Sequence, residues 1–135
     1  MLETGMPDKA VISIVDDDQS VREGMTDLVG TLGFSAVSFP SGEDFLKSNR
    51  VDSTACLITD MRMPGMTGLE LHTQLVASGK SIPTVLITAY PDERVRVLAL
   101  KAGVICYLIK PFTEDDFLGC IRSALGHGRP PGNAS

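Results

Sequence analysis

Four places in the 135-residue sequence hold side chains suited to polar chemistry: the run Asp16-Asp17-Asp18, then Asp60, Thr88 and Lys110. Each alone has an ordinary reading. Acids suit a helix N-terminus, so the aspartate run could simply open a helix. Asp60 could be a turn former, Thr88 a strand-end residue and Lys110 a solvated charge. Taken together they form an all-oxygen donor set with a hydroxyl and an ammonium beside it. Carboxylates about 4 Å apart repel by roughly 4 kcal/mol at an effective dielectric near 20. Such a group must protonate, separate or bind a cation. Three carboxylates favour Mg2+ over a softer metal, and Mg2+ usually takes only one or two protein carboxylates plus a phosphate oxygen. One carboxylate is then left as a nucleophile. Its attack on a phosphoryl donor gives an aspartyl phosphate, and Mg2+ with Lys110 can supply positive charge around the transferring oxygens.

These residues act together only if the fold gathers them. Short apolar runs at Ala10–Val15, Ala36–Phe39, Ala55–Thr59, Thr84–Thr88 and Ile105–Ile109 read as strands, bounded by Asp, Pro, Gly or Lys. Between them lie helical patterns at Ser20–Leu32, Gly42–Lys47, Thr67–Val76, Asp92–Ala102 and Glu114–Leu125. Ser41 and Asp44 stand in capping-box-like spacing, and Gly33, Gly79, Gly103 and Gly126 are placed to stop helices. Strict alternation predicts parallel βαβ units and a sheet covered on both faces. In such a sheet, ligands sit outside the carboxyl ends of the strands. Those ends carry Asp16–Asp18 after the first strand, Asp60 after the third, Thr88 from the fourth and Lys110 after the fifth. The second ends in Phe39-Pro40 and offers nothing comparable.

Composition narrows the function classes. The chain is 43% hydrophobic and 21% charged, the balance of one ordinary globular domain with a real core. Twelve basic against 17 acidic residues give a formal charge of −5, which argues against holding DNA unaided, since phosphate neutralisation dominates that affinity. The three cysteines, 56, 106 and 120, include no C-x-x-C pair; Cys56 and Cys106 lie within apolar runs, and small buried hydrophobes in a reducing compartment is the default reading. The N-terminus lacks a signal-peptide pattern and no apolar run is long enough for a membrane span, so a cytoplasmic location is expected.

IVDDD with Arg22, then LITDMRMPGMTGLEL, LITAY and YLIKPF, resembles the receiver domain of two-component response regulators over about residues 9–125. The DMRMPGM loop and the SGEDFL segment are most similar to the FixJ-like subfamily with LuxR-type output. The resemblance implies a flavodoxin-like (βα)5 fold, α/β with a doubly wound parallel sheet in order 2-1-3-4-5. It implies that Asp60 is the phosphoacceptor, that Asp16 and Asp17 are the acidic pair with Asp17 the direct metal ligand, and that Asp18 starts the helix. Asp60 and the backbone carbonyl of Arg62 complete the protein's share of a Mg2+ site, in which Mn2+ can substitute. Thr88 and Lys110 match the switch hydroxyl and the phosphate-contacting lysine, Tyr107 the aromatic that changes rotamer, and Pro111 a position often preceded by a cis bond. Arg62 and Tyr90 flank the site at positions that vary among receivers and bear on water access.

The same resemblance implies a sensor histidine kinase as phosphodonor and a phosphorylation-dependent homodimer through the fourth helix, fifth strand and fifth helix. It makes the chain a regulator, catalysing only its own phosphotransfer and dephosphorylation. Subfamily members usually place a DNA-binding domain after the receiver, so transcription is the expected output. Residues 126–135 then read as a linker stub or loose tail, with a stand-alone receiver as the alternative. An FMN-binding electron carrier would need a Gly/Ser/Thr-rich phosphate loop where three aspartates stand. A phosphohydrolase with an aspartyl nucleophile would need a second aspartate two residues on, where Asp60 has Arg62 and only Asp16 has the superficial match Asp18. An interaction-only pseudo-receiver is disfavoured because every chemical position is filled. His72 and His127 lack ligand spacing and read as surface residues.

Overall fold

A computed structural model describes residues 11–126. Ala10, His127 and the rest of the tail lie outside the described residues. Five strands alternate with five helices: β1 (Val11–Val15), α1 (Gln19–Thr31), β2 (Ser35–Phe39), α2 (Gly42–Lys47), β3 (Thr54–Asp60), α3 (Gly68–Ala77), β4 (Thr84–Thr88), α4 (Glu93–Lys101), β5 (Cys106–Ile109) and α5 (Glu114–Gly126). All pairings are parallel and the strand order is β2-β1-β3-β4-β5. This is the doubly wound order expected from the sequence.

Central strands have no solvent face, which is why β4 is buried at all five positions and β1 at four. On one face Ile12, Ile14, Cys56, Ile58, Val85, Ile87 and Leu108 pack against Met25 and Val29 of α1 and Phe117, Ile121 and Ala124 of α5. On the other, Val15 and Leu57 meet Phe45 of α2 and Leu71 and Leu75 of α3, while Leu86 meets Ala99 of α4. Each successive crossover is longer than a hairpin and carries a helix, as parallel pairing requires.

The helix ends are set locally. Asp18, Ser41, Thr67 and Asp92 are N-caps whose side chains accept from backbone amides at Val21, Asp44, Glu70 and Arg94. Thr67 and Glu70 make a reciprocal capping box, whereas at Ser41 only the forward bond to the Asp44 amide forms. Gly33 and Gly103 take φ of +98° and +102° after α1 and α4, where an L side chain would be strained. Gly126 stays helical as the last residue of α5 instead of stopping it. No helix among the described residues is long and apolar enough to cross a membrane.

Two expectations are corrected. His72 is not a surface residue: it is buried, with Nδ1 3.0 Å from the Thr84 hydroxyl and Nε2 3.0 Å from the Ala102 carbonyl. It follows Leu71 on the inner side of α3, so a polar ring reaches across to the start of β4 and the end of α4, where partners compensate its burial. The cysteines also differ from one another. Cys56 is fully buried, as a small hydrophobe would be, but Cys106 and Cys120 are only partly so.

Candidate functional site

The aspartate run divides by role. Asp18 caps α1, the ordinary reading, while Asp16 and Asp17 turn to the carboxyl edge of the sheet. Asp16 is buried and tightly held. Its amide donates to the Phe39 carbonyl at 3.1 Å, its carbonyl accepts from the Arg22 guanidinium at 2.7 Å, and its Oδ1 accepts from the Asp18 amide at 2.9 Å. Asp17 is exposed.

Asp60 ends β3, in register with Ile87 of β4. The chain beyond it is fixed by the Met61 amide donating to the Ile87 carbonyl at 2.7 Å and the Gly68 amide donating to the Met61 carbonyl at 3.1 Å. Gly68 opens α3 directly against this turn: a Cβ there would lie 2.5 Å from the Asp60 carbonyl oxygen and 2.8 Å from the Leu86 side chain. Thr88, buried at the end of β4, accepts at Oγ1 from the Tyr90 amide at 3.0 Å. The Lys110 amide donates to the Thr88 carbonyl at 2.9 Å, which brings the lysine alongside, and the next peptide bond, Lys110–Pro111, is cis.

These elements converge. One carboxylate oxygen each from Asp16, Asp17 and Asp60 lie within 4.8 Å of one another. Lys110 Nζ sits 3.5 Å from Asp60 Oδ1 and 3.9 Å from Asp16 Oδ2. Three carboxylates against one ammonium leave two uncompensated negative charges. Burial pushes the Asp16 and Asp60 carboxyls above their ordinary value; Lys110 opposes this at both, and at Asp16 the Asp18 amide opposes it more strongly. A hard divalent cation suits this donor set in charge and in ligand chemistry.

A raised carboxyl pKa has a definite sign for stability. The protonated form is favoured on folding, so the contribution is full below the ordinary value of 3.8 and is lost as pH rises through the folded-state value. Asp16→Asn keeps the acceptor for the Asp18 amide and removes the charge. In chelator, its melting temperature relative to the parent is expected to rise between pH 4 and pH 7.5. A difference that is flat or falls with pH in paired thermal melts contradicts the assignment.

Arg62, Ala89 and Tyr90 line the same pocket, and the Arg62 guanidinium stacks 4.6 Å above the Tyr90 ring. Tyr107 does not line it. It is half-buried on the side of Leu86 and Ala99, and its hydroxyl accepts from the Asp92 amide at 3.3 Å, beside the start of α4. Arg22 and Gly68 are structural members of the site that sequence reasoning gave no role. Arg22 stands in the first motif, but its reach back to the Asp16 carbonyl depends on how α1 leaves the loop.

The profile of the Response regulator receiver domain family matches residues 12–122. The chain belongs to that family. This receiver is 42% identical over 121 residues to the response regulator protein TodT of Pseudomonas putida, covering 89% of the chain and 53% of TodT. It is 32% identical over 125 residues to the transcriptional regulatory protein FixJ of Bradyrhizobium diazoefficiens, covering 93% of the chain and 61% of FixJ. The crystal structure of FixJ-N superposes with a TM-score of 0.81 at 32% identity, over 93% of the receiver and 99% of that structure. The receiver thus spans little more than half the length of these curated relatives, and it belongs to a regulatory family with the acidic pocket in place.

Proposed function

We propose that this receiver takes a phosphoryl group onto Asp60 from a phosphohistidine of a sensor histidine kinase and converts it into a change of its α4–β5–α5 face. The observation that carries the reading is the meeting of three carboxylates within 4.8 Å of one another with Lys110 Nζ 3.5 Å from Asp60 Oδ1. Asp16, Asp17, Asp60 and the backbone carbonyl of Arg62 would hold Mg2+, or Mn2+ in its place. The bound cation would neutralise charge on the transferring phosphoryl oxygens. An Asp60 carboxylate oxygen bonds to phosphorus as the histidine N–P bond breaks and the imidazole nitrogen keeps the electron pair. Lys110 stays paired to the growing charge. The chain's own catalysis ends there and in the reverse loss of phosphate to water.

The phosphoryl group adds roughly 1.5 to 2 negative charges and three acceptor oxygens. Thr88 and Lys110 each gain a charge-assisted hydrogen bond of about 1.5–3 kcal/mol. Moving a two-state element from 1:99 to 99:1 takes ~5.5 kcal/mol, which two such bonds reach only at their upper range. The switch is therefore graded: Thr88 gives up the Tyr90 amide and moves inward, and Tyr107 leaves the Asp92 amide for the vacated space. The exposed apolar side chains of Val97, Leu98, Leu100 and Ile109 on α4 and β5 support a homodimer through this face. The receiver runs from about residue 9 to the end of α5, and the tail beyond Gly126 would begin a linker to a DNA-binding domain, so that the output is transcription, in a cytoplasmic protein.

The test uses acetyl phosphate as donor. Hydroxylamine-labile labelling is expected with Mg2+ and its loss with chelator. Thr88→Ala should still label but dimerise at least about fivefold more weakly on phosphorylation, the equivalent of ~1 kcal/mol. Equal phosphate-dependent association of variant and parent in sedimentation rejects the switch, and labelling that ignores chelator rejects the metal.

A further inference from the structure

Ala99 is the one buried residue of α4, and the two ends of this helix are attached unequally. At the C-terminal end the chain turns at Gly103 with φ of +102°. The Val104 amide donates to the Ala99 carbonyl at 3.0 Å, and the Ile105 amide donates to the Thr84 carbonyl at 2.8 Å. Val104 and Thr84 are both buried. The His72 ring reaches the same place from α3, bridging the Ala102 carbonyl and the Thr84 hydroxyl. A cavity of about 190 Å³ lies beside the ring, walled by Val76, Ile82, Pro83 and Gly103, so the bridge rather than close packing seats the helix on that side. At the N-terminal end Asp92, Glu93 and Arg94 are exposed. Among the described residues, one hydrogen bond leads from that end to another element, from the Asp92 amide to the Tyr107 hydroxyl at 3.3 Å.

The direction of the bridge follows from what each atom can do. A carbonyl only accepts, so His72 Nε2 must carry a hydrogen and donate to Ala102 across 3.0 Å. In the neutral ring Nδ1 is then an acceptor. The Thr84 hydroxyl donates to it across 3.0 Å rather than to the Ile82 carbonyl at 2.9 Å. The bonds run one way, from β4 through α3 to the end of α4.

We propose that His72 is a pivot pin for α4: a positioning residue that fixes the helix's C-terminal end to α3 and β4 and leaves the N-terminal end as the one that swings. Breaking the pin strands a buried ring nitrogen, whereas the exposed Asp92 amide can exchange its partner for water. The arm from Ala102 to Asp92 is about 15 Å long, so a tilt of roughly 10° at the pin moves the first turn by about 2.6 Å. A pinned helix swings through one arc, and the exposed Val97, Leu98 and Leu100 turn with it as a unit. Release of the swinging end by Tyr107 on phosphorylation rests on the function proposed above. The pin itself belongs to the unphosphorylated chain and stands whether or not Asp60 accepts phosphate.

The test is amide hydrogen exchange by NMR on the full chain, with no phosphodonor present. The Ala102 and Val104 amides are expected to exchange at least about tenfold more slowly than those of Arg96 and Val97, nearer the start of the helix. His72→Leu fills the space without a donor and is expected to erase that difference, while the Ile14 and Ile58 amides in the central strands stay protected. His72→Gln, whose carboxamide offers a donor to Ala102 and an acceptor to Thr84, is expected to retain it. The tautomer is a readout that needs no variant: ring nitrogen shifts of the neutral imidazole are expected to place its proton on Nε2. An even exchange profile along α4 in the parent, a neutral ring with its proton on Nδ1, a difference that survives in His72→Leu, or one lost equally in His72→Gln overturns the proposal.

Discussion

Asp60→Asn is expected to abolish labelling by acetyl phosphate while leaving the fold intact. The carboxamide matches the carboxylate in shape, so the β3 register with Ile87 and the Met61–Ile87 bond are undisturbed. What disappears is the anionic oxygen 3.5 Å from Lys110, the atom proposed to attack phosphorus. The effect is all-or-none, in contrast to Asp17→Asn, which removes one of several proposed cation ligands and should only raise the Mg2+ concentration needed. A second readout separates loss of chemistry from loss of structure. Burial raises the Asp60 carboxyl pKa, so the charged parent carries a folding penalty at neutral pH that the amide lacks. Asp60→Asn should therefore melt above the parent in chelator and gain less from added Mg2+, as linkage requires of a weakened binder. Undiminished hydroxylamine-labile labelling of the variant removes Asp60 as acceptor.

Gly68→Ala is expected to destabilise the protein by about 1–3 kcal/mol, as overpacking in a close-fitted interior does. The ordinary sign is the opposite. Glycine within a helix costs about 0.5–1 kcal/mol relative to alanine, so a neutral site would gain from the change. At Gly68 the added carbon meets the Asp60 carbonyl oxygen at 2.5 Å, and that atom is backbone at the end of a central strand, unable to swing aside. Either α3 retreats or the Asp60 turn shifts, and both move the Asp60 carboxylate relative to Lys110. Gly119 is the control: on α5, nothing lies within 4 Å of its added Cβ, so Gly119→Ala should stabilise. Urea midpoints for the pair decide it. The same sign at both positions shows that helix propensity, not the approach of α3 to Asp60, governs Gly68.

The sequence carries the sheet plainly because every strand is a short apolar run and every crossover a helical pattern. The strand-end rule then brings Asp16, Asp17, Asp60, Thr88 and Lys110 together without any knowledge of packing. The residues it leaves unread are those whose role depends on a partner from a distant element. His72 looks like a polar position on a helix until Thr84 and the Ala102 carbonyl are placed around it. Arg22 reads as one charge among many until α1 turns it back on the Asp16 carbonyl. Gly68 is a helix-start glycine by pattern, and only the approach of the Asp60 carbonyl makes it a steric requirement. Tyr107 is the contrary case: its motif marks it in the sequence, and the structure adds only its partner, the Asp92 amide at the start of α4.

The order in which the strands lie side by side has a consequence for biosynthesis. The acids emerge early, on β1 and β3, which pair with each other near the middle of the sheet. The ammonium arrives last, after β5, which pairs with β4 alone and occupies the outer edge. A nascent chain that has folded only through β4 would display crowded carboxylates with no lysine to balance them. Charge balance at this edge is thus a property of the finished sheet, completed only by the strand that is synthesised last.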